Sequence, residues 1–376
     1  MKYLPESENL FQRIKRLVRE YEAINVSSIN IAVEPDTNPP ELLRNLVAKE
    51  VLRDENRNHN YWDNSPELNK KLIELNIINI DNYSHIKTLV IPEKPILLLP
   101  VACANRNDSP IENKYMKNAP AYDVMATWCE YLEESLIWPI YSFENFKLKI
   151  SNLPSKLPRM ILTVKPNPCP VASKEEWEEI IDFCIKNKIR LVNDAYTAVV
   201  HKNHVSLTSI AVNYPELEWA ELFSISKTFS ACWRITIVTN DFIDEISKIK
   251  NTDSIFPAVL NRYLDTNESK EDNKKIREMY KNRMDILIPI FESALKLACP
   301  SDAFFMLFLC PKTINETIET SEEFNNKMIN LILVVPFVSE IDKKEQFIRY
   351  SACYDSLKEE NVTRLKNALS KITITY

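Results

Sequence analysis

Leu10, Ile14, Leu17, Val18 and Tyr21 recur at intervals of three and four, so an amphipathic helix is expected near the start of the chain. The stretch EPDTNPPELL at 34–43 reads as a loop entering a second helix. From about Arg159 the pattern becomes strand–helix–strand. Residues 160–164 form an apolar run, and KPNPCPV reads as a turn. Ser173 with Glu176 has the form of a capping box, and Trp177, Ile180, Ile181, Cys184 and Ile185 make one helical face. Residues 189–192 form the next buried strand, ending at Asp194, and further strands are expected near 222–226 and 235–239. This alternation implies a mostly parallel sheet covered by helices. After about residue 265 the style changes. The charged segment DTNESKEDNKK leads into a long helix around 276–297, strand-like pieces follow at 303–309, 331–337 and 346–352, and a capped helix starts at Ser356. That arrangement predicts a smaller α+β lobe.

Composition narrows the class. A hydrophobic content of 45% and a charged content of 27% over 376 residues suit a globular chain with a sizeable core. The net charge of -6 argues against a general nucleic-acid binder. No apolar run approaches the ~20 residues of a membrane span. The first residues, MKYLPESENLFQRIKRL, carry early acids and do not read as a signal peptide. The eight cysteines are scattered without a C-x-x-C pair, which suits a reducing cytoplasm. The H-x-x-H of His201 and His204 lacks the HExxH frame and is expected to be an exposed loop, so no metal site is assigned.

The chain contains no glycine, where average usage would give roughly 26. Chance does not produce that absence, and the motif spacings below bear on its meaning.

Candidate chemistry concentrates in FSISKTFSACWRI, residues 223–235. A lysine at the end of a buried strand is costly as a charged group. Burial lowers its pKa and makes its amine a nucleophile able to form a Schiff base. Alone, Lys227 reads as a partly exposed lysine. Beside it, Ser224 and Ser226 offer hydroxyls and Arg234 offers a cationic fork suited to phosphate. A lysine that binds an aldehyde, next to groups that bind a phosphate, describes a pyridoxal phosphate site.

At this point the sequence resembles the class I/II aminotransferases, the fold-type-I pyridoxal phosphate enzymes, over nearly its whole length. EPDTNPP is similar to the family's "GEPDF-PP" loop, NYWDNSPELNKKLIE (60–74) to its "Y-x-x-x-x-G-x-x-x-L" segment and APAYD (119–123) to its "P-x-aromatic" turn. KPNPCPV resembles "NPxNPTG", and NDAY (193–196) resembles "D-x-A-Y". SISKTFSACWRI resembles "S-x-S-K-x-x-x-x-x-G-x-R-x-G", and FIRYS (347–351) the late "F-x-R-x-S". Each match is weak by itself; their shared order is what is specific. The resemblance implies an α/β fold with a mostly parallel seven-stranded sheet between helices. It implies a large cofactor-binding domain over 41–264 and a smaller α+β domain over 265–376, with residues 1–40 as an arm and part of the small domain.

It also implies roles. Lys227 would hold pyridoxal 5'-phosphate as a Schiff base and shuttle a proton. Asp194 would keep the pyridine nitrogen protonated. Tyr196 and Asn167 would hydrogen-bond the ring's phenolic oxygen, Asn167 would also lie against substrate, and Tyr122 would stack on the ring. Ser224 and Arg234 would bind the phosphate, with Tyr61 reaching across from a second subunit of a homodimer. Arg349 would clamp the substrate α-carboxylate.

The departures from the family pattern are all one residue short. Tyr196 lies two after Asp194 rather than three, Arg234 seven after Lys227 rather than eight, and KPNPCPV lacks one residue between its prolines. Taken by spacing alone, Asn193 would stand where the aspartate should. Restoring one glycine at Asp194–Ala195, Cys232–Trp233 and Pro166–Asn167 removes every shortfall. The sequence is therefore read as written without its glycines, and the aspartate role goes to Asp194. No residue in 90–106 is assigned to the early phosphate loop. The favoured function is a cytoplasmic aminotransferase acting on an amino acid and a 2-oxo acid, without nucleic-acid or membrane partners. A carbon–sulfur lyase of the same fold and a non-catalytic relative are the alternatives. YLPESENLF resembles the start of the LL-diaminopimelate aminotransferases, but the rest does not single out that group.

Overall fold

The computed structural model describes residues 40–52, 70–71, 73–74, 88–91, 115–118, 136–138, 160–163, 165–166, 171–195, 197–201, 204–224, 236–240, 255–299, 305–309, 335–338, 346–351 and 357–370. The chain divides into two compact units, one comprising Thr37–Lys281 and the other including Asn282–Tyr376.

The first unit is built on a seven-stranded sheet: β1 (Thr88–Ile91), β2 (Tyr115–Asn118), β3 (Leu136–Trp138), β4 (Met160–Thr163), β5 (Arg190–Ala195), β6 (Trp219–Ser224) and β7 (Thr236–Asn240). Its order is β1-β7-β6-β5-β4-β2-β3. The pairs β2–β3, β2–β4, β4–β5 and β5–β6 are parallel, and β7 runs antiparallel to both β6 and β1. Every residue of β5 and β6 is buried, as expected of parallel strands covered on both faces.

Helix α1 (Glu41–Val51) starts after Pro40, with Glu41 in its first turn and Lys49 in its last, each complementing the helix dipole. Leu43 of α1 packs with Val259, Leu260, Tyr263 and Leu264 of α4 (Ile255–Leu264), and with Ala195 and Phe223 of the sheet. Between them, α2 (Lys174–Asn187) covers the sheet with Trp177, Ile180, Ile181 and Cys184, the expected face; Ile185 is only partly buried. Fully burying such a side chain contributes ~1.5–3 kcal/mol. The Ser173 hydroxyl accepts the Glu176 N–H, as the capping pattern predicts, while the Glu176 carboxylate pairs with Lys165 Nζ at 2.7 Å. At the other end Lys188 takes a left-handed conformation (φ 54°), and its N–H closes on the carbonyls of Cys184 and Ile185. Glycine is the usual residue there. A short 3₁₀ turn (Ala198–Val200) and α3 (Leu207–Ala211), capped by Ser206, complete the layer.

Helix α5 (Asn267–Glu292) begins nine residues before the expected 276, because the charged segment is helical rather than a lead-in. Its buried apolar side chains, Ile276, Tyr280, Met284, Leu287 and Phe291, continue one stripe down the helix, and the charged residues other than the buried Arg283 occupy the remaining faces.

In the second unit β8 (Leu297–Cys299), β9 (Phe305–Leu309), β10 (Val335–Val338) and β11 (Gln346–Ser351) form an antiparallel sheet ordered β10-β11-β9-β8, followed by α6 (Glu359–Leu369). Strand β8 lies where the helix was expected to end; three residues are too few to display an alternation. The helix expected over residues 10–21 lies outside the described residues. Among the described residues no helix is long and apolar enough to cross a membrane.

Candidate active site

In an open parallel sheet, ligands lie beyond the carboxyl ends of the strands. Strand β5 reaches that edge through Asn193, Asp194 and Ala195, paired in register with Glu221, Leu222 and Phe223 of β6. Side chains alternate between faces along a strand. Asn193 therefore shares a face with Glu221, and Asp194 shares the opposite face with Leu222 and Ser224. Both Asp194 (3% exposed) and Ser224 (5%) are buried within the last residues of their strands.

The Asn193 face is a closed polar row across three strands. Thr163, Asn193 and Glu221 are register partners. Asn193 Oδ1 accepts from Thr163 Oγ1 (2.8 Å) and Lys165 N (3.1 Å), and Asn193 Nδ2 donates to Lys165 O (2.8 Å) and Glu221 Oε1 (2.9 Å). That uses both donors and both acceptor positions of the carboxamide. Glu221, fully buried, also accepts from Leu207 N, Thr208 N and Thr208 Oγ1, with His204 Nε2 3.7 Å away. Burial alone would raise its carboxyl pKa, but His204 and the Thr208 donors outweigh it and hold the carboxyl below the usual glutamate range. Asn193 could turn toward a ligand only by abandoning four hydrogen bonds, whereas Asp194 lies on the opposite face.

The strand runs without interruption through Asp194–Ala195. The other joints proposed for a glycine lie outside the described residues. The face of Asp194 is set by residues that precede the joint, so an insertion after it leaves that face unchanged.

The turn after β4 carries Lys165 and Pro166, joined by a cis peptide bond. Thr197 Oγ1 donates to Pro166 O (3.1 Å), so β5 and the residues after it grip this turn at two points. Asn167, Tyr196, Lys227, Arg234, Tyr122 and Tyr61 lie outside the described residues. In the second unit Arg349 occupies β11, one of the two inner strands of its sheet, with Val335 of β10 and Leu307 of β9 as register partners. His201 and His204 differ from expectation. Both residues are buried, and His204 Nε2 lies 3.7 Å from the carboxylate of Glu221. Among the described residues no group of three or more metal-ligating side chains occurs. The polar row was not foreseen from the sequence, although a glutamate inside the apolar strand WAELFS was its signal.

A profile of the family "Aminotransferase class I and II" matches residues 119–369, two-thirds of the chain. The chain belongs to the class I and II aminotransferases. It is similar to the LL-diaminopimelate aminotransferase of Methanocaldococcus jannaschii, at 23% identity over 377 aligned positions covering 93% of this chain and 87% of that one. Among solved structures it resembles substrate-bound BacF from Bacillus subtilis (TM-score 0.75, 17% identity, 100% of this chain and 96% of that one). The aromatic aminotransferase of Pyrococcus horikoshii is a further neighbour (TM-score 0.71, 18% identity, 95% and 99%). The aminotransferase has the fold-type-I architecture, with pyridoxal 5'-phosphate as its cofactor and an amino acid and a 2-oxo acid as its substrates. The described residues fit that cofactor. A buried carboxylate at the ligand edge of the sheet suits a protonated pyridine nitrogen, and a buried hydroxyl ends the adjacent strand on the same face.

Proposed function

We propose that this aminotransferase works on a dicarboxylic diamino acid of the diaminopimelate type, with a 2-oxo acid as acceptor. The support is the similarity to an LL-diaminopimelate aminotransferase over 93% of the chain, together with the opening YLPESENLF.

Bound pyridoxal phosphate supplies an aldehyde carbon and an electron-withdrawing ring. The Lys227 Nζ holds the cofactor and, once released, takes the proton from the substrate α-carbon. The Asp194 carboxylate holds a proton on the ring nitrogen. Tyr196 and Asn167 would hydrogen-bond the ring oxygen, Asn167 would also contact the substrate, and Tyr122 would stack on the ring. Ser224 and Arg234 bind the phosphate, and Tyr61 joins them from a second copy of the chain, so the working form is a homodimer. Arg349 pairs with the α-carboxylate shared by all amino-acid substrates. The amino group leaves one amino acid, which becomes its 2-oxo acid, and is delivered to a second oxo acid, with no net redox change. The observation that carries this reading is Asp194, buried at the carboxyl end of β5 on the face opposite the saturated Asn193. The protein is further proposed to act in the cytoplasm, with residues 1–40 as an N-terminal arm and part of the small domain, 41–264 as the large domain and 265–376 as the small domain.

A panel of amino donors tests the substrate. Oxo-acid exchange should be fastest with LL-diaminopimelate, with no ammonia release. A preference for aromatic donors would refute the substrate, and ammonia release without exchange would indicate a lyase.

A further inference from the structure

Asn193 and Thr197 flank Asp194 and Tyr196 in the chain, and both bond to the backbone of the same turn. Asn193 pairs with Lys165 through both the N–H and the carbonyl, at 3.1 and 2.8 Å. Thr197, fully buried, donates to the next carbonyl, that of Pro166, at 3.1 Å. The Lys165 side chain, 1% exposed, is itself held by Glu176 of α2 at 2.7 Å. Residues 165 and 166 are therefore restrained from β5, from the segment after it and from α2, and in the written sequence this turn leads, through the joint read as an omitted glycine, to Asn167. Ordinary core packing does not require two polar side chains to converge on two consecutive backbone units while a third holds the Lys165 ammonium. Along residues 193–197 the fastening groups stand just outside the pair assigned to the cofactor.

We propose that Asn193 and Thr197 are positioning residues: they fasten the 165–166 turn, which precedes Asn167 in the sequence, to the strand that carries Asp194. The proposal rests on the reading of Asn167 as a ligand of the cofactor's ring oxygen. Displacement of a positioned group by about 1 Å can cost on the order of 10² in rate, so two hydrogen bonds to the turn are enough to matter.

Thr197→Val removes one hydroxyl at nearly constant volume and is the test, with Thr197→Ser as the rescue. Thr208→Val is the control, because the Thr208 hydroxyl goes to Glu221 and not to the turn. Three quantities are read on the full-length protein: affinity of the apo-enzyme for pyridoxal phosphate by fluorescence, the pH midpoint of the visible cofactor band, and Tm. Thr197→Val should weaken cofactor affinity about 5-fold or more. It should also move the band midpoint by about half a pH unit or more. Thr197→Ser should restore both values, while Thr208→Val should lower Tm and move neither. Should Thr197→Val fail to fold, Thr197→Ala carries the same readouts. A wild-type midpoint and affinity in the folded Thr197 variant overturns the proposal, as does an equal shift in Thr208→Val. Asn167→Ala separates the two levels. No effect there overturns the reading of Asn167 and the proposal with it; an effect there but none at Thr197 overturns the fastening alone.

Discussion

The two faces of strands β5 and β6 carry polar side chains of similar burial with different uses. On one face Thr163, Asn193 and Glu221 bond to one another, to the 165 backbone and to the start of α3. On the other, Asp194 and Ser224 sit in the last residues of their strands, at the edge where a ligand of this fold lies. Burial alone would rank all five together. What separates them is the hydrogen-bond pattern of the first group and the position along the strand of the second. Buried polar residues that satisfy one another fix strand register; those at the carboxyl ends lie at the edge where ligands of open parallel sheets bind.

The comparison can be tested from its largest consequence downward. Lys227→Ala should abolish turnover and the visible cofactor band while leaving the circular-dichroism spectrum unchanged; a folded variant with near-normal transamination would sink the assignment. Next, the two neighbours in β5 should fail in different ways. Asp194→Asn should lower kcat by on the order of 10²–10³ with little change in urea midpoint. Asn193→Leu should instead lower stability by about 1–3 kcal/mol for each group left unsatisfied. The reverse pattern in paired activity and urea measurements would exchange the roles of the two residues.

The acid limb of stability is a smaller effect. The folded-state pKa of Glu221 lies below its unfolded value, so its contribution is present above the unfolded pKa and is lost as pH falls through the folded one. Glu221→Gln should therefore be less stable near neutrality and show a shallower loss below about pH 4.3 in pH-dependent urea titrations. An unchanged acid limb would mean that another carboxylate controls it. The smallest perturbation is a weighing. The written sequence corresponds to 43.8 kDa, and an intact mass greater by roughly 26 glycine residues would show that glycine belongs in the chain. A mass of 43.8 kDa would show that it does not. An added residue after Asp194 would turn Ala195 to the other face and leave Asp194 where it is.

Much of the fold was legible because periodicity and caps are local. The face of α2 and the Ser173 cap are written directly in KEEWEEIIDFCIKN and its preceding serine. The early start of α5 was not, because a polar stretch carries no apolar stripe until Ile276 supplies one. The lysine and the aspartate proposed for the cofactor were legible as types in a family order. The partition of Asn193 from Asp194 was not, since adjacent residues differ only in the face they take. That face is decided by pairing with Thr163 and Glu221, each 28 or 30 residues away in the chain. The buried histidines were misread for the same reason: the group that draws His204 inward is Glu221, which no local pattern connects to it.

Cys184 is a free thiol with no exposed surface in the last turn of α2, and burial pushes its pKa well up. The thiolate is the reactive form, so alkylating reagents meet neither the ionised sulfur nor a path to it while α2 stays docked. Labelling at this position then becomes a clock. Its rate in excess reagent reports how often the helix leaves the sheet, and peptide mapping separates that signal from the other seven cysteines. Comparing the clock with and without cofactor would show how far ligand binding holds closed a helix that carries the partner of Lys165.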